Sequence, residues 1–337
     1  MAGPYYVDVT TGDDGDTGLT EALAFQTLSH LADTIAAGEI AYVKASASYT
    51  VQDGANDAIM QLTTAGSAGS PIVIIGYTTT ITDGGVVTID ATSTFANAVN
   101  SSLSALYYIF KNFRFTNATG TGFSANSFTG DYTKFENCQF DNNADWGFQG
   151  DNAHIFHRCT INNNNTDAGE GGGIDADFWN VITCSKIHTN AGYGVSSDNG
   201  DWIGYGNVLY GNGGNSNLRS LSGSEPVVWI NNTIDGDDSA SSVGINQDSS
   251  VLWVFIALNN IIMDCATGLK SDVNAGTSQP GIDNNMLVSC ATDYTGVVAG
   301  DNDIDTNTDP FTASATRDYT LADASAAIDA GTDSGDV

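Results

Sequence analysis

The chain has 337 residues, 41% of them hydrophobic, which is enough to build a real core in one large domain or two ordinary ones. Only 9 Lys and Arg stand against 40 Asp and Glu, a net charge of −31 at pH 7. Without clustered cations to neutralise phosphates, nucleic acid and anionic membrane are excluded as partners. The charge fits a solvated, self-repelling surface, and it also fits divalent-cation binding or life in salty water. All but five of the 40 acids are Asp, a residue whose short side chain bonds nearby backbone N–H groups in turns, so charge and turn density share one cause.

In chain order, the opening stretch Met1 to Val9 lacks the basic, apolar, small-residue succession of a secretion signal, so either assembly in the cytosol or an already removed leader is expected. No run reaches the roughly 18 apolar residues of a membrane span. Residues 4–10 read as a strand and 11–18 as an Asp/Gly turn. From Phe25 to Gly38 the spacing of Leu28, Leu31 and Ile35 predicts a helix, with Thr27 as its cap and Gly38 as its stop. Such a helix in front of a β stack would cover the unpaired backbone of the first coil. Strands follow at 40–44, 71–78 and 86–90.

Beyond residue 100 the chain repeats. Residues 132–151 show the unit: Phe135, Cys138 and Phe140, then the turn Asp141-Asn142-Asn143, then a second run opened by Gly147-Phe148 and closed by Asp151. One landmark is the apolar residue closing the first run: Phe115, Phe140, Ile161, Ile187, Leu209, Ile234, Ile262 and Leu287, at spacings of 21 to 28. Two residues earlier stand Phe113, Cys138, Cys159, Ser185, Asn207, Asn232, Asn260 and Asn285. Positions i and i+2 of a strand share a face, so both columns are expected to point inward. A second landmark, Gly followed by an apolar residue, keeps step from Gly122-Phe123 to Gly296-Val297. Short strands with this period and Gly/Asn/Asp turns predict an all-β parallel β-helix of about ten coils, roughly 50 Å long at about 4.8 Å per coil. The expected organisation is an N-terminal strand and capping helix over residues 1–70, a β-helix over 71–300 and a C-terminal cap segment over 301–337.

The opening Tyr5-Tyr6-Val7-Asp8, the capping helix and Ala41-Tyr42-Val43-Lys44 resemble the N-terminal end of right-handed parallel β-helix proteins of the pectate-lyase-like superfamily. Asp309-Pro310-Phe311, Asp318-Tyr319-Thr320-Leu321 and Ala326-Ala327-Ile328-Asp329-Ala330-Gly331 are similar to their C-terminal end, although Ala replaces the Pro usual in the last motif. The resemblance implies a single right-handed parallel β-helix. It implies little about activity, because the fold carries lyases, hydrolases, epimerases, tailspikes, adhesins and virion shell proteins.

Most residue columns have a structural reading. The Asn ladder can bond along the axis. Cys138 and Cys159 stack in neighbouring coils within disulfide reach, although free thiols are the default for five cysteines with no metal-type spacing. A turn after the second run carries Asn126, Asp151, Asp177, Asp198, Asp248, Asp272 and Asp301. Stacked carboxylates there could hold Ca²⁺, with Asp151, Asp177 and Asp198 the candidate ligands; a solvated turn ladder is the alternative. Asp175 and Asp177 should both face outward and, with Glu170 in the loop before them, form a candidate acid pair for glycoside hydrolysis. Arg114 and Lys186 share an outward column but lie three coils apart, and Arg158 with His154 and His157 has no acid triplet, so a lyase base is not evident. Trp146, Trp179, Tyr193 and Trp202 could stack on sugars or shield the edges of the stack.

The expected function is therefore a non-enzymatic virion structural protein: a bacteriophage capsid-decorating or fibre-type β-helix, assembled in the host cytoplasm. Its composition resembles that of aquatic-phage β-helices. The partner would be a major capsid or other virion protein, and a homo-oligomer, a trimer by resemblance, is expected. The alternatives are a polysaccharide lyase or glycoside hydrolase acting on a cell-surface glycan, and an extracellular surface adhesin.

Overall fold

The structure is a computed structural model that describes residues 3–51, 57–101, 103, 106–125, 132–165, 171–197, 199, 202–213, 216–220, 226–247, 255–271, 281–328 and 330–331. It is an all-β parallel β-helix with very little helix. Most coils contribute three short strands rather than the two expected from the sequence, and in the coils of Thr233–Gln247 and Ile261–Ser271 the second and third run on as one. In the coil around Phe135 these are Thr133–Glu136, Gln139–Asp141 and Phe148–Asn152. Corresponding strands of successive coils pair in parallel and form three ladders. The first ladder is a sheet of eleven strands running from Tyr5–Val7 to Ile282–Asp283.

Two bends explain the third strand. Asn137 and Asn142 both have left-handed backbone, with φ of 61° and 56°. Asn tolerates that region because its short amide bonds locally, so a single residue can turn the chain. Asn137 therefore splits the run that contains Phe135, Cys138 and Phe140, and Cys138 lies in the bend rather than in a strand with Phe140. The same position is left-handed at Asn112, Arg158, Cys184, Asn231, Asn259 and Asn284 in other coils.

Alternation then fills the interior. Phe135, Phe140 and Phe148 come from the three strands of one coil and are fully buried. Their rings meet edge-on within the coil, with the Phe135 and Phe140 centroids 5.1 Å apart. Between coils they lie nearly parallel, as Phe110 and Phe156 do on either side of Phe135 at 5.9 and 5.3 Å. Pairs of this kind contribute about 0.5–1.5 kcal/mol each beyond their burial.

Two amide ladders line the bends. In the first, Asn207, Asn232, Asn260 and Asn285 each donate side-chain Nδ2 to the next member, at 2.9–3.2 Å, and the run ends on Asp303. The second, Asn143, Asn164, Asn190, Asn212 and Asn217, is linked at 2.9–3.0 Å and is not apparent in the sequence. Asn164 donates to the Phe140 carbonyl and to Asn190, and its Oδ1 accepts from Asn143, so its buried polar atoms are all satisfied. Cys138 and Cys159 remain free thiols. Burial, and then the hydrogen bond with Cys159, pushes the Cys138 thiol well up.

The N-terminal helix is Leu28–Thr34, shorter than the expected 25–38, because the chain turns extended at Ile35. Thr27 caps it, its Oγ1 accepting from the His30 N–H at 3.1 Å. Leu28, Leu31, Ala32 and Ile35 enter the same core as Val7 and Val43, which closes the first coil as the pattern predicts. At the other end the chain folds back along the outside. Phe311, Tyr319, Leu321 and Ala327 pack on Met263, Met286 and Val288, outward residues of the last strands of the second ladder.

Candidate functional site

The third ladder carries the candidate site on its outer face. Its strands Phe148–Asn152, Gly172–Phe178, Tyr193–Ser197 and Ser216–Ser220 point Phe148, Ile174, Val195 and Leu218 inward. Alternation places Gln149, Asp175, Ser196 and Arg219 outward, in register across four coils. Gly150 pairs with Ala176 and Asn152 with Phe178, which sets Asp151 beside Asp177 one coil apart, about 4.8 Å at strand spacing. These two acids sit within strands, not in the turn that the sequence suggests.

The electrostatics follow from this stacking. Gln149 Nε2 donates to Asp175 Oδ2 at 3.1 Å, and Asn199 Nδ2 donates to Asp177 Oδ2 at 3.0 Å. Burial raises the pKa of Asp151, and the neighbouring Asp177 charge raises it further. Two carboxylates at this spacing repel by about 0.9 kcal/mol in water and about 3.5 kcal/mol at an effective dielectric of 20, so one of the pair is held toward its protonated form.

Aromatic groups flank the acids. Trp146 is buried against Gly172, where a Cβ would come within 2.9 Å of the indole and 2.2 Å of the Tyr193 carbonyl oxygen. Glycine at 172 is thus what leaves room for both the Tyr193 backbone and the indole. Two coils on, the Arg219 guanidinium lies 4.6 Å from the centre of the Tyr193 ring. Asp145, beside Trp146, has its pKa raised by burial. The strip therefore offers half-buried carboxylates and amides beside the Tyr193 ring, which a cation tops, while Trp146 and Ser196 are buried beneath it.

The structure thus brings together Asp151, Asp175 and Asp177, all half-buried. Glu170, Asn126, Asp198, Asp248 and Asp272 lie outside the described residues. Asp301 is in a turn beyond the last strand of this ladder and does not continue the column. Among the described residues no group of three or more His, Cys, Asp or Glu is gathered closely enough to hold a metal ion. Trp202 is not a sugar platform: it is buried and its Nε1 donates to the Ala176 carbonyl at 3.0 Å inside the stack. His154 is fully buried and His157 shares a hydrogen bond with Thr183 at 2.8 Å. Arg158 is exposed in a bend, and Arg114 forms a two-point ion pair with Asp141 at 2.8 and 2.5 Å.

A second polar cluster leaves little trace in the sequence. Arg317 reaches Asp235 Oδ2 at 2.8 Å and also pairs with Asp237, while Tyr319 donates its hydroxyl to the same Asp235 oxygen at 2.8 Å. Arg317 also covers the Tyr210 ring, which stacks on His188. Burial, reinforced by Asp235 and other nearby acids, pushes Asp264 up to about 6. The signal in the sequence is a lone cation in an acidic tail, but nothing there says that residue 317 returns to residue 235. This cluster fastens the C-terminal segment to the second ladder.

No protein-family model matches the chain, and no curated protein matches it in sequence. Solved structures do match in shape. Pectate lyase Pel9A superposes with a TM-score of 0.53 and 16% identity, covering 99% of this chain and 92% of that one. XylC, solved in complex with xylose, superposes with a TM-score of 0.54 and 11% identity, covering 91% of this chain and 86% of its own. At such identities the likeness is one of fold alone. Three parallel ladders, single-residue left-handed bends, stacked amides and a helix over the first coil, superposing on pectate lyase Pel9A along nearly the whole chain, make this protein a parallel β-helix similar in fold to that enzyme.

Proposed function

We propose that the chain is a rigid, non-enzymatic β-helix that binds a neutral polysaccharide along the outer face of its third ladder. The observation that carries this reading is the grouping of half-buried Asp151, Asp175 and Asp177 with Gln149 on one outward face, beside the Tyr193–Arg219 pair. Carboxylates accept from sugar hydroxyls, and amides both accept from them and donate to them. The acidic strip, on a chain of net charge −31, disfavours a polyuronate and favours an uncharged glycan. The setting we infer is a virus particle, as a capsid-decorating or fibre-type protein docked on a shell protein. Its support is the compositional resemblance to phage β-helices. The role of the rod there is passive: the stack holds the face stiff and presents it outward.

Affinity electrophoresis in gels containing neutral polysaccharides tests the binding. Retardation by at least one neutral glycan, weakened about tenfold or more by Asp175→Asn, is the expected result. Migration unaffected by every neutral polysaccharide sinks it. A second reading rests on the raised pKa of Asp151 beside Asp177, which is the asymmetry that an acid and a base for glycoside hydrolysis need. New reducing ends that vanish in Asp151→Asn or Asp177→Asn would establish that reading and end the non-enzymatic one.

A further inference from the structure

The outer face of the first ladder does not look like the surface of an acidic monomer. Strand register aligns one outward column from Ile40 to Ile256, and every member of it except Lys134 is valine or isoleucine. Ile155 and Ile203 in this column are exposed, Ile203 by 49%. An aliphatic column of this length, left in water, is unusual for a sheet face, which alternates apolar inward with polar outward when one side is solvated.

Three further observations indicate what covers it. Trp179 sits at the edge of the column with left-handed backbone, φ 60°, and 66% exposure. It walls a hollow of about 150 Å³ with Val181, Ile203, Pro226 and Val228. Tyr107 and Ala153 make the same left-handed bend in other coils, so the conformation belongs to the coil; what sets Trp179 apart is its exposure, and tryptophan in an apolar recess is the usual anchor of a protein interface. The hollow is almost wholly apolar, which suits a side chain better than a sugar. The charge is also balanced here: Lys44 pairs with Asp8, and Lys111 and Lys134 pair with Glu136, with Asp283 at the far end, against 9 Lys and Arg to 40 acids in the whole chain. A second copy can approach this face without meeting a wall of carboxylates, whereas its other sides repel. Finally, eleven strands at about 4.8 Å by four residues at about 3.3 Å make a footprint of about 700 Å². Two such faces bury about 1,400 Å², which lies within the range of stable protein interfaces.

We propose that this face is the self-association surface of the protein, covered by the same face of a second copy in a two-fold dimer, with Trp179 and Ile203 at its centre. A two-fold axis places each residue column against its counterpart, so one self-complementary patch suffices. The proposal is independent of the glycan reading, because the two faces belong to different ladders.

Sedimentation equilibrium and light scattering on the full chain test it. The expected mass is twice the 35.0 kDa of one chain. Raising NaCl should tighten association by screening the acids elsewhere on the two copies. Ile203→Glu and Trp179→Ala, both at exposed positions, should each weaken it by about 100-fold or more, while Thr160→Glu on the second ladder leaves it unchanged. Circular dichroism confirms that each variant keeps its fold. A wild type that stays at one chain mass at about 100 µM in high salt overturns the proposal. So does a trimer, or a dimer that survives both substitutions.

Discussion

The outer faces of the first and third ladders are built on the same coils and present opposite chemistry. The first shows valine and isoleucine with an exposed tryptophan; the third shows carboxylates, amides and an arginine over a tyrosine. Inside, the two are alike: Phe135 and Phe148 come from the two ladders of one coil and their rings pack 5.4 Å apart. The difference shows how the fold separates duties. Alternation commits every second residue to the stack, and the residues between are released from packing. A face can then change its chemistry without any change in the coil. Stability should therefore respond to the inner columns, and recognition to the outer ones.

Substitutions can test that separation. Phe135→Ala removes a ring that touches neighbours in its own coil and in both adjoining ones, and should cost about 3–5 kcal/mol in urea unfolding. A loss below about 1 kcal/mol would mean that the interior is not shared between the ladders. Asn190→Ala interrupts the second amide ladder, leaving the buried Asn164 amide without its acceptor. A loss of about 1–3 kcal/mol is expected, with Asn190→Asp also destabilising because it places a charge in the ladder.

Acid should act on the same interior. Burial lowers His154 to about 3, and neither ring nitrogen has a hydrogen-bond partner among the described residues. The unfolded chain, with an ordinary histidine near 6.5, binds the proton that the folded chain refuses. Stability contributed by this group is present above pH 6.5 and falls by about 1.4 kcal/mol per unit as pH drops from 6.5 toward 3. Denaturation midpoints between pH 7 and 5 should show this slope in the wild type and lose it in His154→Leu. Asp264 works the other way: with its pKa raised to about 6, its charge opposes folding at neutral pH, and acid relieves that cost. Asp264→Asn should therefore stabilise the protein slightly at pH 7 and leave it unchanged at pH 4.

The smallest effect is expected on the third face. Asp175→Asn should change unfolding free energy by no more than about 0.5 kcal/mol while it weakens glycan binding. A large loss of stability there would show that the outward carboxylate supports the stack, and the contrast between inner and outer columns would fail.

Much of the stack is legible in the sequence. Two landmarks keep step through the repeats, and columns such as Phe113 to Asn285 do point inward. Leu28, Leu31 and Ile35 announce the capping helix, though not its early end. Other features are hidden for physical reasons. The single-residue bend at Asn137 breaks an apolar run without a glycine or proline to mark it, so two strands read as one. The second amide ladder is concealed because Asn143, Asn164 and Asn190 stand among other Asn and Asp residues, and only the bend geometry selects which amides stack. Asp151, Asp175 and Asp177 stand out singly; that Trp146, Gln149, Tyr193 and Arg219 join them depends on coil-to-coil register. Loops of unequal length separate these residues along the chain, so no fixed spacing records it.

By itself the sequence determined the period, the inner columns and hence the fold, because burial in a stacked coil demands the same residue class at each turn. Only the tertiary structure decided which outward residues become neighbours, where Arg317 returns to the stack, and that one outward column is almost wholly aliphatic. Those relations join positions more than 20 residues apart, and hydrogen bonding between coils, not local preference, sets them.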